Sequence, residues 1–136
     1  MKAQLLVDAR ARLGECPLWC ERTGALYWTD IEGATLHRWE ASQGRQRQWT
    51  LPERLGSFAL CEGGSQLLLG LASGIAVFDP ETEALTTVVR VEADQRSTRI
   101  NDGRCDRQGR FVFGMYNPAE APIGGFYRVH ADLRVE

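Results

Sequence analysis

Short apolar runs alternate with polar residues along the chain, and turn-forming residues close each run within a few positions. In the first third the runs are Cys16–Cys20, Ala25–Ile31, Thr35–Trp39 and Gln46–Leu51, broken at Thr23-Gly24, Glu32-Gly33 and Gln43-Gly44. Ser57–Cys61, Gln66–Gly70, Ile75–Phe78 and Leu85–Val89 follow, then Gly103–Asp106, Arg110–Gly114 and Phe126–Val129. Runs of this length between turn residues predict antiparallel strands joined as meanders. No stretch carries a capped apolar stripe of helical period. The segment Met1–Asp8 reads as a first strand.

The runs fall into copies of one unit. Aligned on Cys20, Cys61 and Cys105, the units recur after 41 and 44 residues, with Gly24, Gly64 and Gly109 in step. Four strands per unit of about forty residues is the pattern of a β-propeller blade, and a β-sandwich would not require turn glycines at that period. The expected fold is all-β, a single propeller domain over residues 1–136 with blades at 14–51, 56–91 and 99–136. Three four-stranded blades do not close a ring, since propellers typically have at least four. An open arc exposes sheet faces and strand edges. The chain is therefore expected to be the first half of a longer protein or a half-propeller that pairs with another chain. Trp19, Trp28, Trp39 and Trp49 recur about once per strand and are assigned to blade packing.

Composition narrows the function classes. Hydrophobic residues make up 43%, which excludes a disordered chain. The formal net charge of −2 gives no reason to expect nucleic acid or an anionic membrane surface as partner. No apolar run is long enough for a membrane span, and Asp8 and Arg10 interrupt the start before a signal-peptide core develops, so a cytoplasmic protein is expected. Cys16 and Cys20 have one spacing seen in zinc sites, but no partner pair accompanies them. Cys20, Cys61 and Cys105 are read as small buried residues of successive strands, ahead of a disulfide or zinc site.

Candidate chemistry lies before the first strand of two units. Glu15 stands five residues before Cys20 and Asn101 four before Cys105, where the middle unit has Gly56 and Ser57. In a radial arrangement that shared position points at the axis, where a carboxylate and an amide meet one small ligand. A carboxylate with amide oxygens is a hard donor set suited to Ca²⁺, Mg²⁺, Mn²⁺ or Zn²⁺. The plainer readings are a solvated loop carboxylate at Glu15 and an ordinary turn at Asn101-Asp102-Gly103. Asp102 is assigned to local N–H capping, and Asp30 and Asp106 to turns or strand ends.

Gly14-Glu15-Cys16-Pro17-Leu18-Trp19, Tyr27-Trp28-Thr29-Asp30-Ile31 and the run Arg99-Ile100-Asn101-Asp102-Gly103-Arg104-Cys105-Asp106-Arg107-Gln108-Gly109-Arg110-Phe111 resemble motifs of the regucalcin (senescence marker protein) and gluconolactonase family, closest to its bacterial sugar-acid lactonases. The resemblance implies a six-bladed propeller, of which this chain is the N-terminal half. It implies hydrolysis of a sugar lactone with one divalent metal ion, Glu15 as metal ligand, and Arg99 and Asn101 as substrate-binding residues. The family's other metal ligands, an asparagine and an aspartate that is also its general base, would lie beyond Glu136, which leaves this fragment without activity. Glu120 is a loose counterpart of a further family glutamate, in a loop that departs from the pattern after Gly114. A non-catalytic binding or scaffolding propeller, and a calcium-binding regulatory protein, are the alternatives.

Overall fold

The computed structural model describes residues 2–95, 97–119 and 121–136; Glu120 therefore lies outside the described residues. The described residues form eleven strands and no helix, in three sheets. The first sheet is β1 (Gly14–Cys20), β2 (Ala25–Asp30), β3 (Thr35–Glu40) and β4 (Arg45–Thr50); the second is β5 (Leu55–Leu60), β6 (Leu67–Leu71), β7 (Gly74–Asp79) and β8 (Ala84–Arg90). The third has three strands, β9 (Arg99–Cys105), β10 (Phe111–Tyr116) and β11 (Phe126–Val129), extended by a single bridge from Val129 to Val135. Each sheet is a meander of antiparallel neighbours, as the spacing of runs and turns predicts.

Side-chain alternation explains the stacking. On β2, Ala25 and Tyr27 face the second sheet and join Leu36 and Trp49 against Phe58, Leu67, Leu69 and Phe78. On β6 the intervening Leu68 points the other way, into a second core with Ile75, Ile100, Phe111, Phe113 and Val129 of the second and third sheets. The second sheet is thus covered on both faces, which is why β6 is leucine at nearly every position while β4 is mostly polar. Each such side chain contributes about 1.5–3 kcal/mol when fully buried.

The first strand of every sheet carries one extra residue. The ladder skips at Cys16-Pro17 in β1, at Gly56 in β5 and at Asn101-Asp102 in β9. Cys16 takes φ of +53°, the left-handed region that a residue with a Cβ rarely adopts. β5 and β9 run so close that a Cβ on Gly56 would overlap the carbonyl oxygen of Ile100 and come within 2.8 Å of that of Asn101.

Four expectations need correction. Residues 2–10 form no strand: they lie over Pro17, Leu26 and Trp28 and cover only part of the outer face of the first sheet. Asp30 anchors the end of that segment, its carboxylate accepting from the backbone N–H groups of Arg12 and Leu13 at 3.0 Å and of Gly33 at 3.1 Å. Burial pushes the Asp30 carboxyl up, and the three donors outweigh it, leaving the group below the usual carboxylate range.

The cysteine alignment slips by one residue in the third unit. Cys20 pairs with Ala25 and the Cys61 N–H bonds the Gln66 carbonyl, but it is Asp106 that bonds Arg110 at the matching place, while Cys105 pairs with Phe111. All four cysteines are free, and only Cys20 is buried; Cys105 is exposed. The left-handed turn glycine of the second unit is Gly63 rather than Gly64. Trp28 and Trp49 are buried as expected, but Trp19 is 48% exposed because it points from β1 to the part of the first sheet's outer face that residues 2–10 leave open.

Two predictions follow from the packing. Gly56→Ala in the full-length protein should cost about 1–3 kcal/mol by overpacking, read as a lowered midpoint in urea unfolding. A variant as stable as the parent would show that β5 and β9 tolerate a wider spacing. The 136-residue chain alone should self-associate, because Trp19 and Phe126 (84% exposed) lie on the uncovered faces of the first and third sheets. Sedimentation decides this: a 15.2 kDa monomer with a cooperative melt would show that these faces need no cover.

Candidate functional site

The extra residue in each first strand fixes what reaches the axis. Glu15 pairs with Thr29, Ser57 with Gly70, and the Asn101-Asp102 bulge lies opposite Gly114. Thr29, Gly70 and Gly114 stand at the same step of β2, β6 and β10, so Glu15, Ser57 and Asn101 occupy equivalent places. Bulges bend a strand and re-aim its side chains, a device frequent beside functional sites. Asn101-Asp102-Gly103 is accordingly not a turn; it lies within β9. Asp102 is exposed and its carboxylate accepts from the Gly103 N–H at 3.0 Å, the local capping expected of it. Asp30 ends β2, and Asp106, directly after β9, caps the following turn by accepting from Gln108 and Arg110.

Glu15, Arg99 and Asn101 line one open cavity of about 440 Å³, together with Glu32, Arg54 and Tyr116. Glu15 is exposed, and no hydrogen bond or ion pair occupies its carboxylate among the described residues. Arg99 is only 7% exposed. Its Nη1 donates to the Ile100 carbonyl at 3.1 Å and to Asn101 Oδ1 at 2.8 Å, and its guanidinium carbon lies 4.8 Å from the centre of the Tyr116 ring. Burial, then the nearby Arg54 cation, lower the proton affinity of Arg99, while Glu32, Tyr116 and Glu15 act in the opposite sense. An arginine remains charged through such a shift. Arg54 meets Glu32 at 3.5 Å across an exposed pair.

The Arg99–Asn101 contact decides what each group can offer. With Oδ1 engaged, the Asn101 amide presents its NH₂ as donor, and Arg99 keeps the N–H groups of Nε and Nη2. The pair therefore suits acceptor oxygens of a ligand, such as a hydroxyl or carbonyl. The Glu15 carboxylate is a hard anionic donor open to the cavity, which fits a divalent cation, and Glu32 lines the same space. No group of three His, Cys, Asp or Glu residues is close enough to hold a metal among the described residues.

Sequence reading passed over Glu32, Arg54 and Tyr116. Glu32 sits in the turn between β2 and β3, and Arg54 directly before β5. Turn charges are ordinarily solvated, so neither stood out. Tyr116 had a signal: it lies in the stretch after Gly114 where the chain departs from the motif.

Residues 13–136 match the family described as SMP-30/gluconolactonase/LRE-like region. L-arabinolactonase of Azospirillum brasilense is 50% identical over 99% of this chain and 46% of its own length. The 6-deoxy-6-sulfogluconolactonase of Pseudomonas putida is 37% identical over 91% of this chain and 43% of its own. Among solved structures, a calcium-binding protein, regucalcin, from Agrobacterium tumefaciens superposes with a TM-score of 0.88 at 29% identity, covering 96% of this chain and 44% of that one. The chain spans somewhat under half the length of the relatives it matches. On the match over residues 13–136, the chain belongs to the SMP-30/gluconolactonase/LRE-like family.

Proposed function

We propose that this chain forms the first three blades of a six-bladed β-propeller that hydrolyses a sugar lactone in the cytoplasm with one divalent metal ion. The observation that carries the reading is the convergence of Glu15, Arg99 and Asn101 on one cavity. The names of two relatives, an arabinolactonase and a sulfogluconolactonase, support the substrate class.

In this reading Glu15 is a metal ligand, and Glu32 adds negative charge at the same rim. The remaining ligands and the general base come from the second half of the ring, the partner that covers the outer faces of the first and third sheets. A bound divalent cation would polarise the lactone carbonyl, which makes a serine or cysteine nucleophile unnecessary for so activated an ester. Arg99 and the Asn101 amide donate to the substrate's ring hydroxyls and to the oxygen on which charge develops. Their mutual hydrogen bond sets the direction of both before substrate arrives.

A calcium-binding role without turnover is the second reading, favoured by the regucalcin resemblance. Stoichiometric metal uptake with no hydrolysis of any aldonolactone would select it.

Glu15→Gln in the full-length protein should lower metal content and abolish metal-dependent turnover with the circular dichroism unchanged, because hard divalent ions depend on ligand charge. Elemental analysis is the check, and wild-type metal content in a folded variant would remove Glu15 from the coordination sphere. Arg99→Ala and Asn101→Ala should each cost about 10²–10³ in kcat while leaving the metal in place. Proton release from a panel of aldonolactones, corrected for spontaneous opening, measures this. Wild-type kcat/KM in both would reduce the pair to a structural feature of β9.

A further inference from the structure

The guanidinium of Arg99 is held at one corner. Both of its protein hydrogen bonds leave from Nη1, so they fix that end of the guanidinium and leave Nε and Nη2 without a protein acceptor among the described residues. Among the described residues no carboxylate lies within ion-pair distance of Arg99 to take up the rest of the fork. The ring of Tyr116 lies across the ladder directly opposite Arg99, 4.8 Å from its guanidinium carbon. Register produces this pairing. The extra residue at Asn101-Asp102 returns Ile100 to Met115 and Arg99 to Tyr116. A large aromatic at the end of β10 would ordinarily turn into the core, yet Tyr116 is 45% exposed and lines the cavity.

We propose that Tyr116 is a positioning residue for Arg99: its ring face holds the guanidinium plane so that the Nε and Nη2 donors meet the hydroxyl or carbonyl oxygens of the bound ligand at a set angle. The proposal rests on the lactone reading for what the donors meet, and on geometry alone for the contact itself. A cation over an aromatic face is worth enough to steady the far edge of a guanidinium whose hydrogen bonds hold only Nη1. The ring, not the hydroxyl, does the work, since no hydrogen bond engages the Tyr116 hydroxyl among the described residues.

The test uses the full-length protein with Tyr116→Phe and Tyr116→Leu, each alone and combined with Arg99→Ala. Tyr116→Phe should keep kcat/KM within about twofold of wild type, and Tyr116→Leu should lower it by about tenfold. In the Arg99→Ala background the leucine change should add less than about twofold, because its effect passes through the missing guanidinium. A leucine variant with wild-type kinetics, or one whose full cost persists without Arg99, overturns the proposal. Tyr116→Thr, another strand former, replaces the leucine variant if that one melts early.

A second readout is independent of turnover. Modification of Arg99 by phenylglyoxal, followed by peptide mass spectrometry, should be faster by about threefold in Tyr116→Leu and unchanged in Tyr116→Phe. Equal rates in all three proteins overturn the proposal even if no lactone is hydrolysed. Faster modification with no hydrolysis by wild type would support the contact while ending the lactone reading.

Discussion

Strands one residue longer than the partners they pair with cannot stay flat, and the first strand of each sheet here is one residue too long. The surplus falls at Cys16-Pro17, Gly56 and Asn101-Asp102, where the strands approach the axis. It brings Glu15 and Asn101 to equivalent places, and it sets the register that puts Arg99 opposite Tyr116. Were β9 to pair residue for residue with β10, without the bulge, the residues before it would each fall on the other face of the sheet. Arg99 would then trade places with Ile100, a cation for a core side chain that is fully buried. The cavity and the second core depend on the same inserted residue.

The middle sheet meets a second constraint at the same place. β5 must pass β9 closely enough to leave no room for a Cβ at residue 56, so this surplus residue is a glycine, while its counterparts in the outer sheets are Cys16-Pro17 and Asn101-Asp102. Glu15 and Asn101 reach the cavity from the flanking sheets, and the middle sheet gives Ser57, a buried hydroxyl with no hydrogen-bond partner among the described residues. Strand residues that line the cavity are supplied unevenly: the flanking sheets give Glu15, Arg99 and Asn101, and the central one carries the packing.

Much of this was legible beforehand. Runs such as Thr35–Trp39 and Ile75–Phe78 lie inside observed strands because period-two alternation and turn residues are local signals. Glu15 and Asn101 were found through their shared place in the repeat and Arg99 through the family resemblance, and all three line one cavity. What escaped depends on partners distant in sequence. Cys105 looked equivalent to Cys20, but the turn before Phe111 is one residue shorter, and only the ladder reveals the offset. Trp19 has the composition of a core residue, and its exposure follows from which face of the first sheet is covered. Met1–Asp8 reads like a strand, but residues 2–8 pair with no strand among the described residues. Tyr116 acquires its meaning from the residue across from it, fixed by a bulge that leaves no mark in composition.

In the 136-residue chain by itself each sheet packs face to face only with the next, and the second alone has a sheet on both sides. Such a stack behaves as a one-dimensional array, in which stability is a sum over neighbours and the terminal units open first. Amide hydrogens would therefore exchange in a graded order, with β5, β6 and β7 protected longest and the third sheet, bound through a single face and three strands, released ahead of them. Arg99, Asn101 and Tyr116 belong to that third sheet. In the 136-residue chain by itself these cavity-lining groups thus sit on the part of the stack that opens most readily, and a ligand that bridged Glu15 to Arg99 would bind its two ends together.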